Sequence, residues 1–190
     1  PITITPKGNK FRFLHVSCFD EKAKNIQGML RAVRIVAKQR QDFELICVGT
    51  GIDYAEDVAY AQTLDFPKRL LTFTGEQTPH EVAQWMQQSD CFLFFSRYEN
   101  APVVLSECLA IGLPIISSNA GGIPEMIDHE CGILVPSEDE VALANAMLEM
   151  IDNQKEYAAD TIRKRGAKYT YQNIGKQLSD TYQRLVISAN

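Results

Sequence analysis

Cys91-Phe-Leu-Phe-Phe95 and Leu113-Pro-Ile-Ile-Ser117, with a helical stretch from about Pro102 to Ile111 between them, decide the fold. Both runs are apolar without alternation, as central strands covered on both faces are. Upstream the unit repeats. Phe11-Arg-Phe-Leu-His-Val-Ser-Cys18 is β-rich, and Ile26, Met29, Leu30, Val33 and Val36 follow it at helical spacing. Phe43-Glu-Leu-Ile-Cys-Val-Gly49 leads into a mixed segment from Tyr54 to Leu64, then Leu70-Leu-Thr-Phe-Thr74 forms another strand. Thr78, Pro79 and Glu81 spell a helix start, with Val82, Trp85 and Met86 as its apolar face and an end near Ser89. From Ser137 the chain turns helical, and its last stretch, about Tyr171 to Val186, carries Ile174, Leu178, Tyr182 and Leu185 on one face. The expectation is an α/β domain over 1–190: a Rossmann-like, doubly wound parallel sheet of about six strands, helices on both faces and a helical C-terminus.

The chain has 190 residues, enough for one core that buries about 70% of the unfolded chain's surface. At 45% hydrophobic and 23% charged residues it is neither disordered nor fibrous. A net charge of -5 leaves nonspecific nucleic-acid binding without an electrostatic footprint. Cys18, Cys47, Cys91, Cys108 and Cys131 form no zinc spacing or Cys-x-x-Cys pair, so they read as buried hydrophobes in a reducing, cytoplasmic setting. No apolar run approaches the ~20 residues of a membrane span.

In an open parallel sheet ligands bind beyond the carboxyl ends of the strands, so the loops after them hold the candidates. The first, Ser17 to Asn25, holds Lys22, Lys24 and Asn25 ahead of a helix whose N-terminus would welcome an anion. The second, Val48-Gly-Thr-Gly51, begins like a dinucleotide fingerprint but has Tyr54 in place of the third glycine; a tight strand-to-helix turn is the favoured reading. The third is Gly75-Glu-Gln77-Thr78. In the fourth, Ser96-Arg97-Tyr-Glu99-Asn100-Ala101-Pro102, Glu99 precedes the helix on which Val103 and Glu107 share a face. Two carboxylates thus flank one helix N-terminus, either as chemistry or as plain complements to the dipole. Gly121 and Gly122 in Asn119-Ala-Gly-Gly-Ile-Pro-Glu125 form a candidate phosphate nest or a flexible turn. His15 lies in a strand and reads as a core or interface residue, while His80 and His129 have no partner at metal or triad spacing.

Glu99, Glu107, Ala110-Ile-Gly-Leu-Pro114 and Gly121-Gly-Ile-Pro-Glu125, taken in order, resemble the signature of the family 4 glycosyltransferases, retaining enzymes with a two-domain GT-B fold. The similarity extends over nearly the whole chain, which would be the donor-binding half. The resemblance implies that Glu107 accepts hydrogen bonds from both ribose hydroxyls of a nucleotide diphosphate sugar, of UDP or GDP type, and that Glu99 lies beside the transferred sugar as the catalytic group. It implies no metal and no cofactor. The family's first loop typically supplies an Arg and a Lys to the diphosphate; Lys24 matches the lysine, but the arginine position falls at Cys18. Lys22 or Arg97 would substitute, or the amides of Asn100, Ala101 and the start of the helix at Val103. The turn Asn100-Ala-Pro102 also departs from the family's Gly-Phe-Gly-like turn, with Pro102 expected at the first helical position. Lys24 and Asn25, with the backbone of Gln77 and Thr78 meeting the base, complete the expected donor contacts.

The resemblance further implies an N-terminal acceptor-binding domain outside this chain, an expectation to which the start at Pro1 adds, and leaves any peripheral membrane association to that half. The last helix would reach back to it, which predicts an exposed apolar strip. The alternatives are a nucleotide-sugar 2-epimerase of the same fold, or a noncatalytic nucleotide-binding regulatory domain.

Overall fold

A computed structural model describes residues 8–188, so Pro1 lies outside the described residues. The strands are β1 (Phe11–Val16), β2 (Phe43–Val48), β3 (Leu71–Gly75), β4 (Cys91–Phe94), β5 (Ile115–Ser118) and β6 (Gly132–Val135). They pair in parallel in the order β3-β2-β1-β4-β5-β6. The order reverses between β1 and β4, where the loops that follow part to opposite sides. The helices are α1 (Glu21–Lys24), α2 (Ile26–Ala37), α3 (Tyr54–Thr63), α4 (Pro79–Gln87), α5 (Val103–Ile111), α6 (Ile123–Met126), α7 (Glu140–Asn153), α8 (Ala159–Gly166) and α9 (Tyr171–Ser188).

Alternation along the central strands feeds two separate cores. Phe13, Cys91, Leu93 and Ile116 meet Met29, Leu30 and Val33 of α2 and Leu143 and Met147 of α7 on one face. Leu14, Phe92, Phe94 and Ile115 meet Trp85 of α4, Leu105 and Leu109 of α5 and Ile162 of α8 on the other. The expected doubly wound sheet with helices on both faces is therefore present. Three elements were not foreseen: the single turns α1 and α6, too short for a periodic signal, and the edge strand β6, whose apolar run is only Ile133, Leu134 and Val135. Pro102 is a correction. It sits at the N-cap of α5 with φ -65° and ψ 120°, and Val103 is the first helical residue. A proline also disfavours the helical conformation in the residue before it, so Ala101 cannot easily extend the helix.

Asp139 and Thr78 cap α7 and α4 through their side chains, and the Thr78–Glu81 capping box forms as the sequence implies. On α9 the strip Ile174, Leu178, Tyr182 and Leu185 is exposed, as expected. Among the described residues no helix is long and apolar enough to cross a membrane.

His15 is fully buried in β1 and its pKa is lowered to about 4, chiefly by loss of water and further by the charge of Lys24, against the pull of a hydrogen bond to Leu93. The unfolded chain takes up this proton below its ordinary pKa near 6.5, and the folded chain does not until about 4. Stability is therefore complete above the upper value and falls as pH drops through that window, by roughly 3 kcal/mol in all. Asp57, whose carboxyl burial pushes up to about 6, works in the opposite direction over the same range, so comparison with a variant isolates the histidine. Urea unfolding from pH 7 to pH 4.5 should show a steeper loss for the wild type than for His15→Gln, and parallel curves would refute the assignment.

Candidate donor site

The loop after β1 is shaped by its own hydrogen bonds. Asp20 caps α1, its Oδ1 accepting from the Ala23 amide at 3.2 Å, and Asn25 ends the turn in the left-handed conformation with φ 53°. Asn25 is buried, and its side chain lies where a Cβ on Gly28 would stand, 2.3 Å from that position at Oδ1. Arg97, from the loop after β4, holds this segment: its guanidinium donates to the Glu21 carbonyl at 2.5 Å, to Asn25 Oδ1 at 2.6 Å and to the Glu138 carboxylate. Its backbone amide donates to the Ala23 carbonyl at 2.8 Å. The two loops at the reversal point are thereby tied together.

The tie brings Lys24 to Glu99. The ammonium lies 2.5 Å from Glu99 Oε1 and 5.5 Å from the centre of the Phe94 ring, and both side chains are largely buried, 16% and 9% exposed. From below, Gly121 and Gly122 support Glu99: an added Cβ would fall 1.7 Å from the Glu99 carbonyl oxygen at the first and 2.0 Å from that of Asn100 at the second. The Gly122 amide donates to the Glu99 carbonyl at 3.3 Å.

A cleft of about 620 Å³ opens above these residues, between α4 and α5. Lys24, Gln77, Glu99, Val103 and Glu107 line it, as do Ser17, Cys18 and Pro102. Its charged lining residues are Lys24, Glu99 and Glu107. Partial loss of water raises the Glu107 carboxyl above its usual range. Val103 and Val104 carry first-turn amides that the helix itself cannot use, whereas the Leu105 amide donates to the Pro102 carbonyl at 3.1 Å.

Several expected contacts are placed elsewhere. Arg97 and Asn25 stand outside the cleft lining because they bond each other. Lys22 is exposed outside it, and so are Asn100 and Ala101. The glycine pair braces a carbonyl, with the Gly122 amide used in doing so, which corrects the phosphate-nest reading. Thr78 is corrected in part: its amide donates to Glu81 Oε2 at 2.8 Å and is not left for a base, while its carbonyl accepts from Val82 with one of two lone pairs. Gly49 and Gly51 serve a tight turn, as favoured, since a Cβ on either would strike the backbone of Ser17 or Phe19.

Sequence reasoning missed Ser17 and the apolar wall formed by Val82, Ala83 and Met86 on α4. For the wall the signal was present: its positions and Trp85 span more of the helix than a single core stripe needs.

Residues 10–153 match the family described as Glycosyl transferases group 1, and the chain belongs to it. It is 30% identical over 143 residues to the N-acetyl-alpha-D-glucosaminyl L-malate synthase of Bacillus anthracis, covering 75% of this chain and 36% of that protein. It is 30% identical over 184 residues to the amylovoran biosynthesis glycosyltransferase AmsK of Erwinia amylovora, covering 92% and 45%. The chain thus spans less than half the length of these relatives. Among solved structures it superimposes on the sucrose-phosphate synthase of Thermosynechococcus elongatus with a TM-score of 0.82 and 27% identity, over 95% of this chain and 46% of that one. Anabaena HepE in complex with UDP gives a TM-score of 0.81 at 21% identity, over 93% and 49%, a likeness of fold.

Gly121→Ala should unseat Glu99, because its Cβ has only backbone to displace and the residue's φ of 53° strains any side chain. A loss of about 2 kcal/mol or more in chemical denaturation is expected. A variant as stable as the wild type would show that the brace is dispensable.

Proposed function

We propose that this chain is the donor-binding half of a glycosyltransferase that moves a sugar from a nucleoside diphosphate to an acceptor, with retention of configuration and without a metal ion. The observation that carries this reading is the meeting of Glu107, Glu99 and Lys24 in one cleft beyond the carboxyl ends of β1 and β4. Membership of the group 1 family supports the reaction class. Retention rests on the resemblance of the Glu99-to-Glu125 motif to the family 4 enzymes.

In this reading the two oxygens of Glu107 accept from the two ribose hydroxyls, which suits an ionised carboxylate. The sugar lies toward Glu99, whose charge orients hydroxyls and stabilises positive charge growing at the anomeric carbon. The diphosphate leaves with growing negative charge, and Lys24 together with the first-turn amides of α5 neutralises it. Glu99 already holds Lys24, so the lysine is shared between the carboxylate and the departing phosphate. Glu99 is accordingly an electrostatic and orienting group rather than a nucleophile. No soluble cofactor enters the scheme, and the donor carries uridine or guanosine.

The acceptor site lies in the part of the protein beyond this chain, and the apolar strip on α9 docks there. Five free thiols fit a reducing, cytoplasmic setting.

Calorimetric titration with UDP, GDP and ADP sugars and with the free diphosphates tests the site directly. Glu107→Ala should weaken the best ligand roughly ten-fold or more, as expected for hydrogen bonds to a charged group. No binding below millimolar, or an unchanged affinity in the variant, would remove the donor-site reading. In the full-length enzyme Glu99→Ala should depress kcat far more than it raises KM. If the two change together, Glu99 contributes to binding alone.

A further inference from the structure

Ser17 is the first residue after β1 and lines the same cleft as Lys24 and Glu99. Its hydroxyl lies 2.7 Å from Nε2 of His15, and Nδ1 of the same ring lies 2.9 Å from the Leu93 carbonyl oxygen. The ring is wholly buried, stacked near Phe94 and edge-on to Phe19, so no water offers either nitrogen another partner.

These contacts determine where each hydrogen lies. A carbonyl oxygen only accepts, so Nδ1 must carry the proton; a bare Nδ1 would set two lone pairs against each other at 2.9 Å. The imidazole is neutral, with its pKa near 4, so Nε2 is bare. Nε2 then accepts, and the Ser17 hydroxyl must donate to it. A serine has one hydrogen. Toward the cleft, Ser17 therefore shows lone pairs alone.

A hydroxyl of that polarity selects its ligand. It repels the oxygens of a diphosphate, which carry no hydrogen at neutral pH, and it welcomes a donor. Resting on the donor-site reading, in which Glu107 takes the ribose hydroxyls, the remaining ligand hydroxyls in the cleft belong to the sugar. We propose that His15 holds Ser17 as an acceptor-only hydroxyl and that Ser17 takes a hydrogen bond from a hydroxyl of the transferred sugar, making it a determinant of which sugar is bound. His15 is then a positioning residue that acts through Ser17.

The tautomer is read by the nitrogen-15 chemical shifts of the His15 ring at pH 7, which should show a protonated Nδ1 and a bare Nε2. The contact is read by calorimetry with the full-length protein. Ser17→Ala should weaken the nucleotide sugar roughly three- to ten-fold and leave the free nucleoside diphosphate unchanged, while Ser17→Thr, which keeps the hydroxyl, should restore most of the difference. His15→Phe frees the serine hydrogen and should lower the same preference for nucleotide sugar over free diphosphate. A protonated Nε2 would overturn the polarity argument. Equal loss for both ligands in Ser17→Ala would place Ser17 against the phosphates and overturn the assignment of the sugar. If the wild type binds neither ligand, the donor-site reading fails with the sugar contact, while the ring shifts still decide the polarity of Ser17.

Discussion

The site depends on the three-way bond of the Arg97 guanidinium. At the reversal between β1 and β4 the chain leaves the sheet in two directions, and nothing in the strand pairing holds the departing loops at a fixed separation. Arg97 supplies that constraint with a planar group that bonds the Glu21 carbonyl, the Asn25 amide oxygen and Glu138 together. Guanidinium geometry suits the task, since its donors point outward in fixed directions. With the loops fixed, Lys24 and Glu99 meet, and the glycine pair leaves room for the Glu99 and Asn100 carbonyls to pack against its backbone. A lysine could not replace Arg97 here, because one ammonium has no comparable fork.

Charge in the cleft is sparse for a site proposed to hold a diphosphate. Lys24 is the cation among the lining residues and its partner is Glu99. Burying a lysine's charge is costly without a counter-charge, and Glu99 supplies one at 2.5 Å and so fixes the place of the Lys24 ammonium. The same pairing means that an arriving anion is bound against an existing attraction, not by a bare charge. Cys18, exposed in the cleft where the resemblance expects an arginine, adds no compensation. The first-turn amides of α5 matter more for that reason. They offer partial positive charge without a counter-ion to displace. Ser17, turned away from donating by His15, cannot join them.

Much of the fold was legible, and the reason is periodicity. Five of the strands and the helices between them are long enough to show apolar runs or helical spacing, and the order of the units implies the parallel sheet. The single turns α1 and α6 were not legible because four residues hold too little helical pattern, and β6, no shorter than β4 or β5, was passed over because its apolar run is only Ile133, Leu134 and Val135 between Gly132 and Pro136. The site divides differently. Glu99, Glu107, Lys24 and Gln77 line the cleft because position at or just beyond a strand's carboxyl end is enough to place a side chain near the opening. Arg97, Asn25, Thr78 and Gly122 share one physical feature: each was credited with a polar group or exposed amide that the fold itself already uses.

Thr78 makes the point most sharply, since its capping box with Glu81 was visible in the sequence and by itself takes up the amide that a base would have needed. A backbone N–H makes one good hydrogen bond. Any proposal that a loop amide binds ligand therefore has to subtract the caps and braces the same residues make. By that subtraction Asn25, Arg97 and the Gly122 amide belong to the scaffold, and what remains for a ligand is a short set of side chains with the opening amides of α5. Ser17 enters by the converse argument. Its position alone was uninformative, and its polarity became definite only when the buried ring of His15 and the Leu93 carbonyl behind it were seen to leave one arrangement of hydrogens.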